Sequence, residues 1–385
     1  MQFWSDLKQS ATPLAGFAAI GVAWAAYFAQ MPVIKAGVGA SDGAWGMAVL
    51  VSSLGAVAAM WLAPMAQARA GRLAVPLAIC AIGLALVGAG AAPVLWLLAG
   101  MMLLMAAGSG VIDVLANAQV AEAEARTGRA LMNLNHGLYS FAYAGAALAV
   151  GALRGAGWTP TEIFGGTLAL FAALAWMSVG RAAAVPGSGV DAEPVIAVGI
   201  PARLVWLAGA LVFFAFLTEA AAEGWSALHL ERGLGGTPQQ GALGPALLGL
   251  MMGVGRLSGH AAAQFISQGR LMIIACLVTA AGLAGAALAP SVGVALLAFA
   301  IAGLGVSVLA PLTLALAARA AGPELRLAVI SRVSVMGYGA FFIGPPMMGL
   351  ISEGFGLSAA FMTVAVLIGL VGVTVVPLLS QARIG

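Results

Sequence analysis

The sequence predicts an all-α integral membrane protein: twelve transmembrane helices in two pseudo-symmetric six-helix bundles. Three observations carry that expectation. Of 385 residues, 62% are hydrophobic and only 8% charged, whereas soluble domains carry about 25% charged residues. The few charges gather at Gly/Pro-rich breaks that cut the chain into apolar runs of about 20 residues, the length that crosses a bilayer as a helix. No two-residue alternation of a β-barrel runs through them, so helices must satisfy the backbone in lipid. The third observation is that the second half of the chain resembles the first.

Taken in order, the spans fall near 11–32, 44–66, 73–92, 94–118, 131–153, 163–182, 203–226, 242–266, 271–289, 292–318, 328–350 and 357–379. The first apolar run is longer than the roughly 7–15 residues of a signal-peptide core and ends in no small-x-small cleavage site, so it reads as a retained span. After the sixth span comes "RAAAVPGSGVDAEPVIAVGIPAR", the longest non-apolar connection. It divides the chain into an N-terminal bundle (1–182), a linker (183–202) and a C-terminal bundle (203–385). "LVSSLGAVAAMWLAPMAQARAGRL" lies over "LGLMMGVGRLSGHAAAQFISQGRL", pairing Gly55 with Gly253 and Gly71-Arg72-Leu73 with Gly269-Arg270-Leu271. "AAGSGV" and "IAGLGV" pair likewise, and Cys80 and Cys276 keep nearly that register. Two parallel repeats around a central cavity form an architecture that serves alternating access.

Charge supplies orientation. With the N-terminus inside, the inner connections hold Lys8, Arg69, Arg72, Arg126, Arg129, Arg181, Arg203, Arg270, Arg319, Arg326, Arg332 and Arg383; the outer ones hold Lys35, Arg154 and Arg232. The positive-inside rule then places both termini in the cytoplasm. The net charge of +3 is too small to suggest nucleic acid as a partner. Cys80 and Cys276 each sit mid-span and read as small core residues, with no metal or disulfide pattern. "GVGRLSG" follows no strand and no Gly-Lys-Ser/Thr is present, so nucleotide drive is not expected, nor any cofactor.

Three blocks carry a family resemblance: "DVLANAQVAEAE" with "GRALMNLNHGLYS", then "TEAAAEGWSALHLERGLG", and "GPPMMGLISEGFGLSAAF". On these the chain resembles the major facilitator superfamily over its whole length, and more narrowly its YbjJ-like bacterial inner-membrane branch. That implies an inner-membrane monomer moving a small solute, with helices 1, 4, 7 and 10 lining the cavity. The sequence departs from the superfamily in places. Gln67 stands near the usual Asp of the loop after helix 2, His260 replaces an acid in helix 8, and helix 5 lacks a Gly-Pro motif.

Ionisable residues at membrane depth are costly and usually face a cavity where they act. Asp113 lies nine residues before Glu122 and shares a helix face with Asn117 four residues on. His136 falls at a comparable depth on the next helix, and an acid beside an imidazole would make a proton-sensitive pair. Glu219, in the outer half of span seven, and Asp113 are expected in the cavity from opposite halves. Asp113, Glu219 and His136 are therefore the proton-coupling candidates. Glu223 and Trp225 read as rim residues. Arg256, deep in span eight, needs a carboxylate or an anionic solute group, and Glu219 is the nearest protein candidate. Helix 1 offers Trp24, Tyr27 and Gln30; helix 5 offers Asn133, Asn135, Tyr139 and Tyr143. Of these, Tyr27, Gln30, Asn135 and Tyr139, with Asn117 and Arg256, form the candidate solute-binding set. No nucleophile–base pair or metal constellation suggests an enzyme.

The expected function is a proton-coupled secondary transporter of a small polar solute, sugar-like or an organic acid. An efflux pump for amphipathic compounds and a non-transporting sensor or scaffold are the alternatives.

Overall fold

The computed structural model describes residues 7, 9–129, 131–179, 202–262 and 265–381. The expected linker 183–202 lies outside them apart from Ala202, as do the side chains of Asn133 and His260. The helices are α1 (Ala11–Gly37), α2 (Asp42–Ala70), α3 (Ala74–Gly90), α4 (Leu95–Thr127), α5 (Leu131–Gly155), α6 (Pro160–Met177) and α7 (Ala202–Leu228). They continue as α8 (Pro238–Ala262), α9 (Gln268–Ala287), α10 (Val292–Val306), α11 (Leu309–Ala320), α12 (Gly322–Tyr338), α13 (Ala340–Phe355) and α14 (Leu357–Gln381). Among the described residues, 10 stretches are long and apolar enough to cross a membrane. The 25-residue helices α5 and α8 occupy the remaining two places in the predicted order.

Two expected single spans are broken helices. The tenth divides into α10 and α11 at Ser307 and Val308, where Ser307 Oγ donates back to the Leu304 carbonyl at 2.7 Å. Pro311 follows in the first turn of α11, where a missing N–H costs little. The eleventh divides at Gly339, ahead of Pro345 and Pro346, which remove two intrahelical donors from α13. Composition alone hid both breaks because neither adds a charge.

The span ends also differ from expectation. α4 runs on to Thr127 and has 33 residues, because Glu122, Glu124 and Arg126 continue the helix beyond the apolar run. Its length is about 50 Å at the usual rise per residue. It stops at Gly128, whose φ of 67° is left-handed, a common way to end a helix. The Gly128 N–H reaches the Glu124 carbonyl at 2.8 Å. α6 begins ahead of its apolar run, at Pro160, under a capping box in which Thr159 and Glu162 satisfy each other's backbone N–H groups.

The chain forms two compact units: residues 1–40 with 47–193, and residues 41–46 with 194–385. In the first, α1 packs on α3, α4, α5 and α6, and α3 packs on α4 and α6. In the second, α7 packs on α11, α12 and α14, and α9 packs on α10 and α14. The two neighbour patterns correspond, as the repeat predicts. The paired glycine motifs serve the same purpose in each unit. Gly108 closes on Ile82 of α3 and Gly110 on Ala59 of α2, while Gly303 closes on Leu248 of α8 and Gly305 on Thr279 of α9. Small residues admit neighbouring helices in this way. Cys276 is buried as expected, but Cys80 is exposed, on the outward face of α3.

Candidate functional site

In the first unit, α1 presents an aromatic face to α4 and α5. Trp24 donates its Nε1–H to Ser109 Oγ at 3.1 Å and stacks on Phe28 with ring centroids 5.5 Å apart. Ser109, Asp113 and Asn117 follow at four-residue intervals, so they share one face of α4. Asn117 Nδ2 donates to Asp113 Oδ1 at 3.0 Å and to the Asp113 carbonyl at 2.9 Å. Asp113 is half-buried and has no cationic partner among the described residues. A carboxylate so placed bears a desolvation cost that proton uptake relieves. Nearby, Gly21 lets α1 close on α5: a Cβ there would stand 3.0 Å from the Tyr139 carbonyl and 3.3 Å from its ring.

The expected acid–imidazole pair is not formed. Asp113 bonds to Asn117, while the His136 ring lies 4.8 Å from the Phe17 ring. Position along the chain sets depth in a helix but not facing direction, and His136 faces α1. The solute-binding set also divides. Tyr139 is half-buried beside Gly21, as is Asn117 beside Asp113. Tyr27 is 1% exposed and donates to Met102 Sδ at 3.0 Å. Gln30 is fully buried, with neither amide atom hydrogen-bonded among the described residues. Asn135, also fully buried, donates to Ser10 Oγ at 3.0 Å and to the Leu131 carbonyl at 2.8 Å, tying the start of α1 to α5. All three are buried in this conformation, because amphipathic side chains at helical spacing suit either environment.

The second unit holds the other candidates. Arg256 Nη2 lies 3.9 Å from Glu219 Oε1, with the two side chains 38% and 23% exposed. At that separation the pair is a loose one. Glu223 follows one turn along α7 on the same face. Trp225, expected at a rim, is 2% exposed and belongs to the core. One turn before Glu219, Phe216 joins Tyr338 and Phe341, with centroids 5.7 Å from each. This aromatic patch escaped sequence reading because Tyr338 and Phe341 flank the unforeseen break at Gly339.

A second polar cluster was also missed. Asp42, at the start of α2 and 5% exposed, takes a two-pronged bond from Arg232 at 2.8 and 2.5 Å and another from Ser352 Oγ at 2.5 Å. Glu353 Oε2 accepts from Ser41 Oγ at 2.8 Å and Gly43 N–H at 2.6 Å. All these residues belong to the second unit. Sequence reading began the second span near 44, and the partners of Asp42 lie 190 and 310 positions away.

The family model described as Major Facilitator Superfamily matches residues 211–383. An uncharacterized MFS-type transporter of Yersinia pestis is 30% identical over 364 residues, covering 94% of this chain and 93% of that one. Among solved structures, a point variant of the nucleoside transporter NupG superposes with a TM-score of 0.75 at 13% identity, covering 97% of this chain and 98% of that one. A D-xylose-proton symporter superposes with a TM-score of 0.68 at 16% identity, covering 100% and 98%. At those identities the likeness shows the fold.

Proposed function

This chain belongs to the major facilitator superfamily of membrane transporters, and on that premise we propose that it moves a small neutral polar solute together with protons by alternating access. The observation that carries the reading is the α1–α4 face of the first unit. There Asp113, without a countercharge among the described residues, stands one turn from the Ser109 that fixes Trp24. An indole held by its N–H offers a flat face to a sugar or nucleoside ring, and Asn117 and Tyr139 offer hydrogen bonds at its edge. Asp113 takes and releases the proton, and Glu219 does so in the second unit, where Arg256 holds it loosely. His136, against Phe17 in the first unit, is a further proton-accepting group in this reading, apart from Asp113.

An organic acid fits these residues less well than a neutral solute. The acids Asp113, Glu219 and Glu223 outnumber Arg256, which already has a carboxylate partner. Proton-symporting sugar carriers among the structural neighbours support the same class. We place the protein in the bacterial inner membrane as a monomer, with both termini in the cytoplasm, on the positive-inside pattern.

The patch of Phe216, Tyr338 and Phe341 favours a second reading, proton-driven export of amphipathic compounds. Thermal unfolding of the purified protein against pentoses, hexoses and nucleosides, and separately against hydrophobic cations such as ethidium, distinguishes the two. Stabilisation that grows with concentration over Kd for a neutral polar class is expected. Stabilisation by the cations alone would replace the proposal with the export reading.

A further inference from the structure

Helices α7 and α12 touch closely at one level and part at another. A Cβ on Gly209 would stand 2.5 Å from Met336 Sδ, and one on Gly337 would stand 2.5 Å from Val212. Toward the N-terminal ends of both helices this contact gives way to a groove of about 370 Å³ lined by Ala202, Val205, Trp206, Ser331, Arg332 and Val335, with Met336 at its floor. Trp206 is 67% exposed and Val335 62% exposed. Arg332 and Ser331 are exposed too, and neither has a hydrogen-bond or ion partner among the described residues.

The groove lies at a defined level of the bilayer. The spans that the sequence predicts around it begin near 203 and 328. Trp206 and Arg332 stand three and four residues in, about 5–6 Å along the helix. That is where tryptophan side chains collect in the interfacial belt. An arginine at the same level has its guanidinium among the headgroups and its stem along apolar surface.

We propose that this groove is a binding site for one anionic phospholipid of the surrounding bilayer. The Arg332 guanidinium takes the phosphodiester through charge-assisted hydrogen bonds, with the Ser331 hydroxyl as a further donor. Trp206 lies against the glycerol region, and the acyl chains run along Val205 and Val335 toward Met336. Charge decides the occupant: a cation without a partner among the described residues, above apolar walls, complements an anionic head above apolar chains. A zwitterionic lipid brings its own cation to the same place, and a soluble anion leaves the exposed Trp206 and Val335 uncovered. The proposal concerns the lipid-headgroup level of the second unit and stands apart from the solute reading.

The test counts retained lipid by native mass spectrometry, on protein released from nanodiscs of equimolar phosphatidylglycerol and phosphatidylcholine. The wild type should retain one phosphatidylglycerol in preference to phosphatidylcholine. Arg332→Gln should weaken that retention about tenfold, the loss of a charge-assisted hydrogen bond, and Arg332→Lys should keep most of it. Val335→Trp, which fills the groove without altering charge, should also displace the lipid. Equal retention by Arg332→Gln and wild type would overturn the proposal. So would stabilisation of the wild type by inorganic phosphate alone to the same extent as by phosphatidylglycerol, which would make the occupant a free anion.

Discussion

Asp42 and Arg232 differ sharply in exposure, and that difference predicts an unequal response to mutation. Arg232→Ala removes two hydrogen bonds, at 2.8 and 2.5 Å, and the countercharge from a carboxylate that is 5% exposed, while the bond from Ser352 remains. Breaking a buried ion pair from one side costs about 3–5 kcal/mol. The Arg232 side chain is 46% exposed, so water replaces part of what is lost and about 2–3 kcal/mol is expected. Asp42→Asn removes only the countercharge of an arginine that is 46% exposed and also donates to Ser352 Oγ at 3.3 Å, so about 1 kcal/mol is expected. The double variant should recover about 1–2 kcal/mol relative to the sum. Reversible unfolding in mixed micelles, with the four proteins compared in one cycle, measures all three values. Equal single costs, or strict additivity, would refute the argument that the buried partner governs the penalty.

Other consequences follow from the same geometry. The loose Glu219–Arg256 pair should show a coupling of about 0.5–1 kcal/mol in a double-mutant cycle, well below the roughly 3–5 kcal/mol of a buried pair. A coupling above about 3 kcal/mol would mean that the two close tightly in the membrane. A Cβ at Gly55 would run into the Leu103 carbonyl of α4, so Gly55→Ala should destabilise by about 1–3 kcal/mol. Gly145 faces open space, so Gly145→Ala should be neutral or stabilising by up to about 1 kcal/mol. Matched melting shifts for these two glycine variants would contradict the packing role. Trp24→Phe keeps the ring but loses the bond to Ser109; it should weaken solute binding severalfold while leaving the melting temperature of the solute-free protein nearly unchanged. Undiminished solute-induced stabilisation would remove Trp24 from the site.

Spans, repeat and family were legible because each rests on a long sequence average: hydropathy over a whole bilayer-crossing run, or glycine register over a whole half. Asp113 and Glu219 stood out for the same reason, as charges inside such averages. Side-chain direction was not legible. Asn135 and Tyr139 lie one helical turn apart, yet one is fully buried against Ser10 and the other half-exposed beside Gly21. What separates them is which neighbour each meets, Ser10 or Gly21, which no local pattern records. The Asp42–Arg232–Ser352 cluster was hidden by sequence distance, and the aromatic patch at Tyr338 by a helix break that carries no charge.

The central claim is that Asp113 carries the proton that accompanies the solute. Its most direct test uses proteoliposomes loaded with a pH-sensitive dye and exposed to whichever sugar or nucleoside stabilises the protein. The wild type should acidify the lumen as solute enters. Asp113→Asn keeps an oxygen for Asn117 to bond, so it should still be stabilised by solute yet produce no acidification. Lumenal acidification by Asp113→Asn at the wild-type rate would contradict the account.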